Sequence, residues 1–552
     1  MNKYKSIATI TLLLFTLSLF PQNKQNNFEI GKSIDIYNSL MRELNVNYVD
    51  EINPAELNET AIKAMLKGLD PYTVFIPESE IEDVRLITTG EYGGIGAVIQ
   101  YDTNYVRISD PYYGFPAQKA GLIAGDLIME VNGVDTYKKT TSEVSELLKG
   151  QPGTDLVLKI KRYGQEKPFE IKLKREKVKI ENIPYSTVLD NGIGYVSLNG
   201  FTKNAASELK EKVVEMKKNP NLKGVVIDLR GNGGGLLAEA VDIVNLFLPK
   251  NKPIVSTKGK TQANVKSYKT NNNPLDENIR LAILVDGNSA SASEIVAGSI
   301  QDYDRGVIIG QRTFGKGLVQ NILPLTYNTQ MKVTVAKYYI PSGRCIQEID
   351  YSHKKDTTNA VAKTDTLGKP FSTANGRTVY EGHGIMPDVK MEMKPYSLVT
   401  SYLYGKNMIF DYACKFYNEN KTIAESDKFE ITDDIFNDFV KFVKDRKFTY
   451  VTESEVTLQK LEKAAKEEGY YDKISTQIES LKKQLEDDKA NDIVRNRKDI
   501  EELLKSEIVG RYYYQTGRII ASLKSDEDLA RACEILLNSN GKNEYETILG
   551  KK

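Results

Sequence analysis

The sequence predicts an α/β protein of several domains. Three observations carry that reading. The chain has 552 residues, well past the length of about 250 to 300 at which one hydrophobic core usually divides. A central stretch alternates short apolar runs with helical patterns, and an earlier stretch packs β-rich runs between glycines. With 40% apolar and 27% charged residues the chain reads as globular rather than disordered or membrane-embedded. Lys plus Arg equals Asp plus Glu at 75 each, so no global field draws the protein to nucleic acid, and no nucleic-acid partner is expected.

The elements follow in order. Residues 1–22 read as a signal peptide: Lys3 and Lys5, then an apolar run from Ile7 to Phe20, shorter than the roughly 20 residues of a membrane span. Export to the periplasm or cell envelope is expected. Ser18, Leu19, Phe20 and Pro21 make a poor cleavage site, so a membrane tether is the outcome if the signal stays on. No cysteine follows the run, which sets a lipid anchor aside.

Residues 23–85 form a helical segment, with Phe28, Ile30, Ile34, Tyr37, Leu40, Met41 and Leu44 at helical spacing and a second helix stopping at Asp70-Pro71. Residues 86–176 form a compact β domain built on "GAVIQY", "YVRIS", "DLIMEVNG" and "DLVLKIKRYG", with a helix at "TSEVSELLKG". Residues 177–392 alternate strand and helix, which predicts a sheet buried on both faces. Residues 393–552 are helical and charged. There Ile474, Ile478, Leu481 and Leu485 keep one face, either of a solvated hairpin or of a dimerisation arm.

Three segments carry chemistry. "DGNSASASEIVAG", residues 286–298, puts Ser289, Ser291 and Ser293 in a turn between strand and helix, with Ser299 just beyond. A hydroxyl there gains from free N–H groups and the helix dipole, although an N-cap serves any helix equally well. "GVIIGQRTFGKGLVQ" holds Lys316 between glycines, near Phe314, Leu318 and Val319. Desolvation disfavours an ammonium, which is how lysine becomes a general base. "VVIDLRGNGGGLLAEAV" runs a strand into Gly231, Gly233, Gly234 and Gly235, whose amides can face an anion. Without GK[ST] or a correctly spaced third glycine, an oxyanion hole fits better than a phosphate loop.

"DLRGNGGG", "NSASASEIVAG", "QDYDRGVIIGQRTFGKGLVQ" and "YYIPSGRCIQ", with "LDPYT" upstream and "GIMPD" at 384–388, resemble the C-terminal processing peptidases, or tail-specific serine proteases. The resemblance implies a crotonase-like α/β serine protease core with an inserted PDZ domain and helical N- and C-terminal segments. It also implies Ser291 as nucleophile, Lys316 as base 25 residues on, Gln320 as the group orienting the lysine, and the amides of Gly235 and Ala292 as oxyanion hole. Ser293 and Glu294 then read as helix-start and packing residues, and Asp302 as structural support. The glycine loop lacks the proline many relatives carry before the paired glycines.

"GEYGGIGAVIQ" and "FPAQKAGLIAGDLIMEVNG" resemble a PDZ domain. Gly93, Gly94, Ile95 and Gly96 would present N–H groups to a substrate's terminal carboxylate, "AVIQY" would offer an edge for an added strand, and Arg162 would help hold the carboxylate. Expected partners are protein or peptide substrates with exposed apolar C-termini, with an adaptor or activator protein and a homodimer through the helical ends as further readings. The alternative is a non-catalytic PDZ peptide-binding scaffold in the cell envelope. A nucleotide-binding enzyme is disfavoured by the missing lysine motif. No metal or cofactor is called for: Cys345, Cys414 and Cys533 lack zinc spacing, a Cys414–Cys533 bridge being the one disulfide considered. His383 reads as a loop residue, and with a serine–lysine pair both His353 and His383 stand outside the mechanism.

Overall fold

The computed structural model describes residues 21–351, 368–392, 394–538 and 543–551. The signal segment up to residue 20 and His353 lie outside the described residues. Two units are present. In the first, helix α1 (Pro21–Asn47) is followed by helix α2 (Pro54–Lys67). Asn53 caps α2 through its side-chain oxygen, and Pro54 sits where a missing N–H costs nothing. Beyond α2 the Asp70 carboxylate accepts from the N–H groups of Tyr72 and Thr73, both at 2.8 Å, which folds Asp70-Pro71 into a turn.

The second unit begins with helix α3 (Ile81–Thr89) and strand β1 (Glu91–Gly94). An antiparallel sheet follows, in the order β2 (Ala97–Asp102), β3 (Tyr105–Pro111), β4 (Leu127–Val131), β5 (Asp155–Lys161) and β6 (Phe169–Lys174). Helix α4 (Thr141–Leu148) opens on a capping box between Thr140 and Glu143. Its Val144 and Leu148 join Val106, Ile108, Ile128, Leu156 and Ile160 in a core of their own. Strand β7 (Glu176–Lys179) then pairs with β1.

A mainly parallel sheet has the order β8 (Tyr185–Val188), β9 (Ile193–Ser197), β10 (Gly224–Asp228), β13 (Arg280–Val285), β14 (Val307–Gly310) and β17 (Val389–Lys390). All pairs are parallel except β8–β9. Alternation sends Val225 and Ile227 to one face, where α5 (Ala205–Met216), α6 (Leu237–Asn245) and α7 (Ala292–Asp302) pack, and Val226 to the other. Beside this layer runs a second sheet. In it β11 (Pro253–Gly259) lies between β12 (Lys266–Lys269) and β16 (Gln330–Tyr339), and β15 (Leu318–Pro324) pairs with β16.

The remaining helices are α8 (Leu398–Gly405), α9 (Met408–Glu419), α10 (Asp433–Asp445), α11 (Glu453–Glu467), α12 (Tyr471–Arg495) and α13 (Arg497–Ser522), which gather Leu403, Tyr412, Phe436, Phe439, Leu504 and Ile508 into a separate core. The hairpin of α11 and α12 is tied by Lys482–Glu462 and Lys489–Glu455, both at 2.8 Å. Helices α14 (Glu527–Leu537) and α15 (Glu544–Ile548) leave that bundle. Their Leu529, Ala532, Ile535, Leu536 and Tyr545 cover the face of the parallel sheet that carries Tyr195, Val226, Ala282 and Leu284. Cys345, Cys414 and Cys533 are free thiols, so the Cys414–Cys533 bridge does not form: Cys414 faces the β domain through the Ala124 carbonyl, whereas Cys533 packs on the sheet.

Ile283 on β13 is fully buried in the core shared with α5, α6 and α7. Ile283→Ala is expected to cost about 2 to 5 kcal/mol, seen as a lower urea midpoint for the core transition. Leu481→Ala, at a position 46% exposed, should stay within about 0.5 kcal/mol.

Candidate active site

Strand β13 is followed by Asp286, whose Oδ1 accepts from the N–H groups of Asn288, Ser289 and Gly231, each at 3.0 Å. That carboxylate folds the turn ahead of α7. Ser289, Ser293 and Ser299 are fully buried, with hydroxyls bound to the carbonyls of Leu229, Asn232 and Ile254. Ser291 is only half-buried, and it stands at the N-cap of α7 with φ 55° and ψ −109°. Such a backbone costs a non-glycine residue on the order of 1 to 3 kcal/mol and persists only where its surroundings hold it.

What holds it is Glu294. Fully buried, its Oε2 accepts from the N–H of Ser291 (2.8 Å) and the N–H of Lys316 (2.9 Å). Its Oε1 accepts from the Thr313 hydroxyl (2.6 Å) and the N–H of Gly315 (2.7 Å). Burial pushes the Glu294 carboxyl up to about 7, against the pull of these four donors. On the other side of the same backbones, the buried Tyr338 hydroxyl lies 2.7 Å from the Lys316 carbonyl oxygen and 3.2 Å from that of Ser291. Serine and lysine are thereby brought together through their main chains at two points.

The lysine loop needs both its glycines. A Cβ on Gly315, where φ is +86°, would come within 2.8 Å of Glu348, and one on Gly317 within 2.8 Å of the Gln347 nitrogen. Lys316 between them is half-buried. Gln320 lies four residues on, in β15 just past a register shift at Val319, and its amide donates to the Thr334 hydroxyl at 3.3 Å. His383 belongs to a neighbouring loop, whose Gly384 backbone packs against Gly315.

The glycine loop closes the site. Asn232, fully buried, donates to the Leu198 carbonyl and accepts from the Gly234 N–H, while its own carbonyl accepts from Ala290 N–H and the Ser293 hydroxyl. Gly234, with φ +98°, lies so close to the Ser291 turn that an added Cβ would sit 2.9 Å from the Cβ of Ser291. The loop is also pinned by a bridge between Phe201 and Gly235 that uses the Gly234 carbonyl and the Leu236 N–H. The N–H groups of Gly235 and of Ala292, the first residue of α7, have no hydrogen-bond partner among the described residues. A carbonyl oxygen placed beside Ser291 would meet unpaired donors and the positive end of a helix.

In the β domain, β2 is an edge strand with α4 alongside, as an added peptide strand requires. Gly93, Gly94, Ile95 and Gly96 come together beside it, all buried. The Gly93 N–H is taken by the Glu82 carboxylate of α3 at 3.1 Å, and Gly94 belongs to the β1–β7 ladder. The ring of buried Tyr92 covers Gly94. Arg162 is elsewhere occupied: it grips buried Asp126 with two bonds of 2.7 Å and donates to the Gly121 carbonyl, so it is a strut of the domain rather than a carboxylate holder.

Sequence reasoning singles out Ser291 and Lys316, which the structure brings together through Glu294, gives Glu294 itself only a packing role and passes over Asn232, Thr313 and Tyr338. The spacing Ser291-x-x-Glu294 is a capping-box pattern, and the Glu294 carboxylate does reach back to the Ser291 N–H. Nothing local announces that the same carboxylate binds a loop some 20 residues further on. Asp302 matches its expected supporting role, pairing with buried Arg344 at 2.8 Å.

A serine at a helix start, a lysine beside it and a donor-lined glycine loop, joined to a PDZ-like domain, define the class: a serine-type endopeptidase. The family model for peptidase family S41 matches residues 192–353, a PDZ domain model matches 107–162, and "Probable PDZ-protease, C-terminal helical domain" matches 399–536. The chain is 36% identical over 342 residues to the carboxy-terminal-processing protease of Bartonella bacilliformis, covering 61% of this chain and 77% of that one. Among solved structures, the photosystem II D1 C-terminal processing protease is 28% identical, with a TM-score of 0.36 over 65% of this chain and 88% of that one. The PDZ domain of the carboxy-terminal protease from Vibrio cholerae, solved in complex with peptide, is 30% identical, with a TM-score of 0.16 over 16% of this chain and 99% of that one. The chain belongs to peptidase family S41.

Glu294→Gln would set an NH2 group against two of the four donors that now share the carboxylate. A loss of kcat/KM on the order of 100-fold is expected, with destabilisation of about 1 to 3 kcal/mol. The folded carboxyl, at about 7, lies above its ordinary value of 4.5, so its contribution to stability is full below 4.5 and is lost as pH rises through about 7. The Tm of wild type minus that of Glu294→Gln should therefore fall between about pH 4.5 and 7; a constant difference would contradict the shift.

Proposed function

We propose that this peptidase cleaves substrates selected by their C-terminal tails, with Ser291 as nucleophile and Lys316 as general base. The observation that carries the reading is the shared Oε2 of Glu294, which binds the N–H groups of Ser291 and Lys316 at 2.8 and 2.9 Å. In this mechanism neutral Lys316 takes the Ser291 proton as Oγ attacks the scissile carbonyl carbon. The developing oxyanion is met by the N–H groups of Gly235 and Ala292. The lysine ammonium then gives its proton to the leaving amine as the C–N bond breaks, and water, activated by the same lysine, hydrolyses the acyl-enzyme. Gln320 orients the lysine from the neighbouring strand.

The PDZ domain is the tail reader in this proposal. The relatives named for carboxy-terminal processing support it, as does the free edge of β2 beside Ile95 and Gly96, where an extended C-terminus can add as a strand. Lys3, Lys5 and the apolar run to Phe20 support export to the periplasm or cell envelope. Among the described residues no helix is long and apolar enough to cross a membrane. Family membership sets aside the scaffold alternative.

Ser291→Ala and Lys316→Ala are each expected to lower cleavage of an unstructured protein with an apolar tail by about 1,000-fold or more. Replacing the tail's terminal carboxylate by an amide should raise KM more than it lowers kcat. Products are read by mass spectrometry; full activity in either alanine variant would sink the assignment.

A further inference from the structure

Arg230 stands between β10 and the glycine loop, and its guanidinium is surrounded by carboxylates. Nε and Nη2 bind the two oxygens of Asp228 at 3.0 and 2.6 Å, and Asp228 also accepts from the Tyr195 hydroxyl and from the Arg230 main-chain N–H. Nη1 reaches Asp526 Oδ1 at 3.0 Å and Asp528 Oδ2 at 3.2 Å, and Nη2 also binds Asp526. Asp526 and Asp528 come from the start of α14, 296 and 298 residues further along the chain. That helix is seated by Leu529, Ala532, Ile535 and Leu536 on the back of the parallel sheet.

Three carboxylates around one guanidinium leave the cluster with excess negative charge. Burial, together with the charges of Asp526 and Asp228, raises the Asp528 carboxyl, against the pull of Arg230. Exposed acids would serve the positive end of α14 equally well, so the dipole does not account for two of them converging on one arginine. What the clamp does fix is position. The next residue, Gly231, donates to Asp286 under the nucleophile turn, and three residues further on Gly234 lies against Ser291.

We propose that Asp526 and Asp528 are positioning residues for peptide hydrolysis: they hold Arg230, and through it the glycine loop, in register with Ser291. The inference rests on the reading of that loop as the oxyanion hole. It makes the C-terminal helical region a working part of the active site rather than a cover.

The test uses the full chain and an unstructured protein with an apolar C-terminal tail. Asparagine caps a helix as well as aspartate, so Asp526→Asn removes charge while keeping the cap that Asp526 gives the Leu529 N–H. In the double variant D526N/D528N, kcat should fall on the order of 100-fold, with KM and tail-peptide binding unchanged. Asp528→Asn alone should show about a tenfold loss or more, and Asp528→Glu should recover most of it. Loss of cleavage in Ser291→Ala with D526N/D528N within about twofold of wild type would overturn the clamp alone. Wild-type cleavage by Ser291→Ala would overturn the active-site reading and the clamp with it. A fall in kcat that only tracks loss of folded protein, without recovery in Asp528→Glu, would also overturn the clamp.

Discussion

The site depends on one buried carboxylate. Ser291 and Lys316 lie on different loops, and neither loop is regular where its functional residue sits. Side-chain contact between a serine and a lysine could not by itself hold both main chains, because a lysine has four flexible carbons. Glu294 solves this with backbone bonds: three N–H groups and one hydroxyl share its two oxygens. Since it is the third residue of α7, its own place is fixed by a helix whose residues are all buried. The strained φ of Ser291 is therefore a consequence of rigid surroundings and not of local sequence.

Around that carboxylate the rest of the core acts as a frame. The parallel sheet brings the ends of β10 and β13 side by side, so the glycine loop and the Ser291 turn emerge together; Gly231 bonding Asp286 is the first link across the gap. Ligand sites at the carboxyl ends of parallel strands are a general consequence of such sheets. A parallel sheet must also be covered on both faces. Here the second cover comes from α14 and α15, so stability of the sheet and placement of the glycine loop draw on the same C-terminal residues.

Much of this was legible in the sequence because it is local. Apolar runs such as Leu281–Val285 announce buried strands, and glycines at 231, 233, 234 and 235 announce a backbone that must pass close to something. Ser291 is singled out by resemblance; in the structure it is the half-buried one, while its neighbours Ser289 and Ser293 are sealed inside with their hydroxyls bound to Leu229 and Asn232. What was hidden is non-local. Glu294 reads as an ordinary N3 residue, Arg162 as a free arginine near a carboxylate loop, and the 393–552 segment as a single helical region. Each is redefined by a partner: Lys316, Asp126 and the parallel sheet. Charge and helical periodicity cannot name such partners, since they state which face is polar but not what meets it.

The raised carboxyl of Glu294 bears on the chemistry as well as on the fold. A full negative charge beside Ser291 would oppose the positive end of α7, on which an oxyanion at this position relies. Burial pushes that carboxyl up to about 7, so its charge is less favoured than on an exposed acid, while its oxygens meet Ser291, Gly315 and Lys316 through their N–H groups. Burial thus supplies two things at once: it fixes the geometry, because an unpaired donor there would be costly, and it weakens a charge that would oppose an oxyanion in the proposed mechanism. A shorter or more exposed acid would hold the loops less well and carry more charge, so both demands select a glutamate that is buried and fully bonded.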